Sequence, residues 1–452
     1  METQPKPLFT NKMLVSMCIP MIMDAYLGIT VGVADGIMVS VVGETAISGV
    51  SLVDSISNVI LVLFGGLATG GAIVTSQFVG ARMESKAKRS SGQMVQMSLL
   101  VSGVITAVCL LFAGPMLRLC FGTVPQAVMQ AATTYFYYMA VSFPFMALGS
   151  AGAVIFRCSG NTKTPMVVNI IANLINVTGN AICIYGLHMG VEGVAIPTLI
   201  SRAFGGVMMM LCATCSKKVL SPGWKDVFHF HGPTMGKMLQ RGLPTALESS
   251  IFQVGRVMTL SMISTFGTYQ LAANSTALTL VQISNIPTQG LYGILMMVVG
   301  QCVGAHDLYQ IKLNTKKLVG AAYVVGGTLA FLSIVFRYPM ISIYSSLSPE
   351  TVELTAQLMV IHLAGAVLCY ASSFCLNATL QAANDTMYVM IVGIGSMMII
   401  RLGLAQLLCV ELGWGAIGVW TAMVVDWICR SVLFLARLRS GAWKKKCGLQ
   451  TV

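Results

Sequence analysis

The chain has 452 residues, of which 56% are hydrophobic and only 9% charged. Soluble domains carry about 25% charged residues, so this composition excludes a large globular core and points to a polytopic helical membrane protein. The net charge of +12 is no nucleic-acid signature, because the lysines and arginines collect in loops on one side of the predicted spans.

The N-terminus, METQPKPLFTNK, is polar and leads into a full-length apolar run, so no cleavable signal peptide is expected. Each crossing needs about 20 mainly apolar residues. Twelve spans are predicted, at roughly 13–40, 46–78, 92–114, 128–156, 165–186, 191–215, 240–266, 273–303, 317–337, 351–380, 387–410 and 414–436. Several exceed a straight crossing, which implies tilt or protrusion. Tyr135, Tyr137, Tyr138, Trp414 and Trp427 are candidate interfacial anchors.

The first span carries Pro20, Asp24 and Asp35. A proline inside a helix removes a hydrogen bond and clashes with the preceding turn, so a bend is expected at Pro20. An ionisable side chain in hydrocarbon costs about 2.5–3.5 kcal/mol on insertion scales and marks a paired or water-filled site. Two readings are open. The helix is a moving part governed by what its acids bind, or it is a kinked packing helix with Asp24 in a structural salt bridge and Asp35 at the interface.

Basic residues sort by side. One side collects Lys6, Lys12, Arg82, Lys86, Lys88, Arg89, Arg157, Lys163, Lys217, Lys218, Lys225, Lys237, Arg241, Lys312, Lys316, Lys317 and the run from Arg437 to Lys446; the other has Arg118 and Arg337. The positive-inside rule places both termini in the cytoplasm, which needs an even number of spans.

The halves repeat. Pro244 lies 224 residues after Pro20, and the same shift takes Gly43 to Gly267, Gly66 to Gly290, Gln77 to Gln301, Pro115 to Pro339 and Thr162 to Thr386. QFVGAR at 77–82 becomes QCVGAH at 301–306. The expected organisation is two parallel six-helix bundles, 1–215 and 240–440, a basic cytoplasmic linker at 216–239 and a cytoplasmic tail at 441–452. A pseudo-two-fold axis along the membrane normal would relate the bundles, as in alternating-access transporters. The linker looks long enough to let the halves rock and has room for a short surface helix.

Mapped through the repeat, Asp24 falls on Glu248 and Arg202 on Asp426. Asp35 falls on Thr259, so its acid belongs to the first half alone, and Arg256 and Arg401 also lack charged counterparts. Asp24, Glu248, Arg202 and Arg256 are therefore candidate cavity charges, either structural or substrate-facing. Pairing is a natural reading: Asp24 with Arg202, Glu248 with Arg430 or Arg256, and Asp426 with Arg430 four residues on. Asp35 has no evident basic partner at its depth, which favours ion or proton binding there. Asn176 and Asn180 share a helix face; such amides join helices or supply oxygens to sodium. The thirteen cysteines are scattered through apolar runs, which argues against a disulfide framework.

The segments VADGIMVSVVG, QFVGARMESKAKR, FRCSGNTKTPM and NVTGNAICIYGLHMGVEGVAIPTLISR, with Pro20 and the half-to-half repeat, resemble the multidrug and toxic compound extrusion (MATE) family of cation-coupled antiporters along nearly the whole chain. The resemblance implies two six-helix bundles in a V, and export of amphipathic, often cationic, organic compounds against entry of H+ or Na+. It implies no cofactor beyond that ion. The family's central cation site is an acid fifteen residues past the first-helix proline, a place held by Asp35. One branch adds an asparagine and an aspartate on the fifth helix and a threonine on the sixth; these places read Asn176, Asn180 and Thr198, so Asn180 replaces a carboxylate. Another branch uses acids at places that read Phe252 and Tyr370 here, with Glu248 one turn before Phe252.

The expected function is thus multidrug efflux by a secondary antiporter of the cytoplasmic membrane, acting as a monomer on small organic substrates, with Pro20 and Pro244 as bending points. A flippase for a lipid-linked precursor of the same superfamily is the alternative. A membrane-embedded enzyme is a distant third, since the chain has no HExxH, GxSxG or GxxxxGK[ST] motif.

Overall fold

The computed structural model describes residues 8–122, 124–216, 220–344 and 347–448. Lys6, Lys217 and Lys218, counted above among the basic residues, lie outside them. All regular structure among the described residues is helical, as expected where lipid leaves every backbone group to be satisfied within its own segment.

The chain forms two compact units, Met13–Ala246 and Leu247–Val452, the latter grouped with Met1–Lys12. The first contains α1 (Asn11–Val42), α2 (Glu44–Gly80), α3 (Glu84–Leu111), the short α4 (Ala113–Phe121), α5 (Gln126–Cys158), α6 (Lys163–Ala181), α7 (Glu192–Cys215) and α8 (Trp224–Phe228). The division falls inside α9 (Gly232–Ser264), just past Pro244. The second unit continues with α10 (Thr268–Gly304), α11 (Leu308–Val335), α12 (Arg337–Ile341), α13 (Pro349–Gly365), α14 (Ala371–Ala382), α15 (Thr386–Gly395), α16 (Gly403–Ala405), α17 (Ala416–Ser440) and α18 (Ala442–Lys446). Segments of π-helix at Ile182–Gly186, Ala366–Tyr370, Ser396–Leu402 and Gln406–Glu411 extend or join these helices.

Among the described residues, eleven helices are long and apolar enough to cross a membrane. The twelfth, α9, spans 33 residues but carries Lys237, Arg241, Glu248 and Arg256, which keep its hydropathy below theirs. The architecture is that of an all-helical polytopic membrane protein with six long helices in each half. Both α1 and α9 run uninterrupted through their prolines.

The repeat is written into the backbone. Arg82 and His306 adopt φ values of 56° and 54°, Gly43 and Gly267 of 122° and 101°, Gly160 and Asn384 of 74° and 65°. Each pair is 224 residues apart. At the ends of α2 and α10, the amides of Met83 and Asp307 reach back to the carbonyls of Phe78 and Cys302, closing the same Schellman-type turn. A non-glycine residue in the left-handed region is uncommon, so its recurrence at one offset marks two copies of one structural unit.

Gly66 and Gly70 let α2 meet α9 backbone to backbone: a Cβ on Gly66 would strike Ala246, and one on Gly70 would strike the Met238 carbonyl and Gly242. The linker is likewise anchored. Gln93 of α3 donates to the carbonyls of Asp226 (2.9 Å) and His229 (2.7 Å) and accepts from the His231 amide (2.8 Å). The expected short helix is α8, and it packs on α3 rather than standing free. Two expected anchors are core residues instead. Tyr135 is 4% exposed and Trp427 3%; the Tyr135 hydroxyl bonds the half-buried Asp54, and Trp427 packs on His362 and Tyr370. Among the described residues the cysteines form no disulfide.

Candidate functional site

In the first unit, α1, α6 and α7 bring Asp35, Asn176, Asn180 and Thr198 together. The period of 3.6 residues puts Asn176 and Asn180 on one face of α6, and that face meets Asp35. Asn180 Nδ2 donates to Asp35 Oδ1 at 2.9 Å. With its amide nitrogen turned to the carboxylate, Asn176 donates to Oδ1 at 2.8 Å and Oδ2 at 3.0 Å. Its amide oxygen then lies 3.1 Å from the Thr198 hydroxyl. That hydroxyl is also 2.7 Å from the Val194 carbonyl, and its one proton serves one acceptor at a time. Asn176 and Asn180 are buried and Asp35 half-buried. The Asn180 amide oxygen is buried without a partner.

This arrangement has a chemical consequence. The amide donors satisfy an ionised carboxylate by themselves. A cation at Asp35 can use the lone pair the amides leave on Oδ2 or displace a donor, and rotation of an asparagine amide exchanges its nitrogen for an oxygen in place. The residues therefore suit a hard cation or a proton, both of which call for oxygen acceptors.

A second acid, absent from the sequence reading, stands beside the first. Asp54 of α2 is hydrogen-bonded by the Tyr135 hydroxyl, and the Arg202 guanidinium acts electrostatically on Tyr135, Asp54 and Asp35. Arg202 Nη1 donates to Ser142 Oγ at 2.9 Å and lies 3.0 Å from Met139 Sδ. Asp35 thus has a basic neighbour after all, supplied by α7. The signal is an aspartate inside the run 46–78, which the repeat maps to uncharged Leu278.

Arg202 does not meet Asp24. Asp24 accepts two bonds from Asn169 Nδ2, at 2.9 and 3.1 Å, and its charge acts on Arg157. Its repeat counterpart Glu248 accepts from Asn377 at 3.1 Å and Gln381 at 3.4 Å, and the Arg430 charge acts on it. Arg157 and Gln381 correspond through the repeat, so one position serves the same acid as a charge in one half and an amide in the other. Asp426 and Arg430 form the expected i,i+4 ion pair at 3.0 Å. Arg256 is exposed, and its guanidinium lies 3.4 Å from Gln253 Oε1.

The second unit has no counterpart of the Asp35 cluster: the equivalent places read Thr259, Ile400, Leu404 and Ala422. The Phe252 ring instead meets two arginines, its centroid 5.1 Å from Arg401 Cζ and 5.3 Å from Arg430 Cζ. His362, also missed from sequence, is buried with Nε2 3.1 Å from Asn285 Nδ2 and 3.3 Å from its Oδ1, with Trp420, Trp427 and Tyr370 around it.

The MatE family model matches twice, over residues 20–182 and 244–407, so its two copies begin at Pro20 and Pro244 and carry the same offset of 224 residues. The chain belongs to the MATE family. It is 26% identical to the uncharacterized transporter YisQ of Bacillus subtilis over 98% of this chain and 97% of that one. To the probable multidrug resistance protein NorM of Thermotoga maritima it is 24% identical, over 97% of this chain and 94% of the relative. A crystal structure of MATE in complex with MaL6 superposes with a TM-score of 0.89 at 21% identity, covering 96% and 97% of the two chains. An outward-facing multidrug resistance MATE family transporter gives 0.89 at 21%, covering 96% of each. These likenesses show the shared fold, and MATE membership makes the protein a membrane transporter rather than an enzyme.

Proposed function

We propose that this MATE transporter is a secondary antiporter of the cytoplasmic membrane, with both termini inside, exporting amphipathic or cationic organic compounds as a monomer in exchange for H+ or Na+. The multidrug resistance role named for the Thermotoga relative supports the substrate class. The single observation that carries the coupling site is the convergence of Asn176 and Asn180 on Asp35.

In this reading, ion entry at Asp35 breaks amide bonds that tie α1 to α6. Loss of those bonds frees α1, which bends at Pro20, while Pro244 serves the second half. Cargo and ion must favour different conformations, or no coupling follows. Thr198 steadies the Asn176 oxygen, and Arg202 balances the local negative charge. Asp24 and Glu248, each held by amides, tie helices within their own units.

The test is Asp35→Asn in proteoliposomes, with sodium and proton gradients imposed separately and a cationic dye as cargo. Gradient-driven export should fall at least tenfold while dye binding persists. Export at the wild-type rate would remove Asp35 from the mechanism.

A further inference from the structure

A cavity of about 390 Å³ opens in the second unit where α11 begins, walled by α11, α14, α17 and α18. Val319, Leu376, Leu435 and Leu438 line it with apolar surface, and Lys312 and Lys316 add positive charge. Four residues apart, the two lysines share a face of α11. Both are exposed, and among the described residues neither is ion-paired, whereas Lys317 beside them donates to Asn11 Oδ1 at 2.9 Å. Like charges at this spacing repel, and an anion beside both would relieve the repulsion. Thr315 stands on the same wall, 9% exposed, its hydroxyl buried without a partner among the described residues. Rotation about its χ1 offers that donor to an incoming oxygen.

The repeat shows how the first unit closes the same groove. There the counterparts of Ile311, Val319 and Thr379 are Ala87, Val95 and Ile155. The linker covers them: Leu220 and Val227, 1% and 4% exposed, join these three in one apolar core. Gly92 makes room for it, since a Cβ there would strike Asp226 of α8. Lys316 stands in the place of Gly92. After α17 the second unit has instead the short α18, whose Trp443 is 2% exposed with Nε1 3.1 Å from the Leu438 carbonyl. Trp443 forms part of the wall and leaves the cavity open.

We infer that this groove holds an anionic phospholipid of the adjoining leaflet, its phosphate at Lys312 and Lys316 and an acyl chain along Leu376 and Leu435. A free phosphate ion would leave the apolar lining uncovered, and a neutral lipid would leave two lysines unmatched. The lysines stand just before the predicted span at 317–337, the level at which headgroups meet hydrocarbon. Basic pockets between membrane helices take anionic headgroups on the cytoplasmic side. The site is separate from coupling at Asp35. It takes from the antiporter reading only the orientation, which makes this the cytoplasmic leaflet.

The experiment gives purified full-length protein phosphatidylglycerol or phosphatidylcholine with the same acyl chains and counts bound lipid by native mass spectrometry. Wild type should retain on the order of tenfold more phosphatidylglycerol, the effect of two lysines beside an anionic headgroup. Lys312→Gln with Lys316→Gln should abolish that preference. Gly320→Phe should abolish it without touching charge, because Gly320 lines the cavity and a Cβ there meets nothing within 4 Å. Lys86→Gln with Lys88→Gln removes the same charge from the first unit and should leave the preference intact. Equal retention of the two lipids by wild type, an unchanged preference in Gly320→Phe, or an equal loss in the Lys86 and Lys88 control overturns the inference. Competition by millimolar inorganic phosphate would assign the lysines to a small anion and also overturn it; indifference to phosphate supports the lipid. Deletion of residues 449–452 should change nothing, and a preference that emerges only after deletion would make the chain's own end the occupant and overturn the lipid.

Discussion

Asn180 reaches from α6 to α1 and holds Asp35 through a 2.9 Å hydrogen bond. The family resemblance implies a carboxylate here in one branch; this chain has an amide, and the amide points its donor at the acid. Restoring the carboxylate reverses the local balance. In Asn180→Asp two acids face each other, and a bound cation relieves a repulsion of about 4 kcal/mol at 4 Å for an effective dielectric of 20. Sodium affinity should rise at least tenfold, read by isothermal titration or by sodium-dependent tryptophan fluorescence. An affinity identical to wild type would show that no cation enters here.

Arg202 sets the charge balance around Asp35 and Asp54. Arg202→Gln should destabilise the first unit, but by less than the about 3–5 kcal/mol of a fully buried pair, because Arg202, Asp54 and Asp35 are each half-buried. Asp54→Asn in that background should recover part of the loss, with a coupling of about 0.5–3 kcal/mol. Thermal unfolding of the four proteins in detergent measures the cycle. Strict additivity would mean that Arg202 and Asp54 do not interact.

The twelve helices, the repeat and the shared face of Asn176 and Asn180 were legible because each has a local signature, whereas the family resemblance alone put Asp35 and Thr198 with them. Apolar runs mark spans, proline and glycine at one offset mark copied backbone, and i,i+4 spacing marks a shared face. Charge pairing along one helix was legible, as Asp426 and Arg430 show, but pairing between helices was not. Depth brought Asp24 and Arg202 level, but rotation about each helix axis decides who meets whom, and it gave Asp24 to Asn169 and Arg202 to Ser142. Asp54 and His362 escaped notice for another reason: their roles depend on Tyr135 and Asn285, which lie on helices far away in sequence.

Gly66 and Gly70 admit α9 against α2 without side chains between them. Gly66→Ala should therefore overpack the contact and cost about 1–3 kcal/mol. Gly65→Ala is the control, since a Cβ there meets nothing within 4 Å, and alanine is the better helix former. Equal melting temperatures for the two variants would show that the helices separate at no cost.

Asp385 and Arg437 close the end of the second unit with bonds of 2.7 and 3.3 Å, and Arg437 stacks 4.5 Å from the Tyr388 centroid. The first unit builds the equivalent turn without charge: Asn161, the counterpart of Asp385, bonds the Thr164 hydroxyl at 2.8 Å and amide at 3.2 Å. Asp385→Asn thus copies a solution that the chain already uses, and the turn at Asn384, with φ of 65°, should survive. What is lost is a two-bond ion pair, because Ala213 stands where Arg437 would be in the first half. Hydrogen bonds to charged groups contribute about 1.5–3 kcal/mol, so the variant should melt earlier. Because Asp385 is only 3% exposed, high salt should screen the pair weakly and leave the difference in place. A melting difference that vanishes at high salt would show the pair to be a surface contact, and the turn rather than the charge would then hold this end of the unit together.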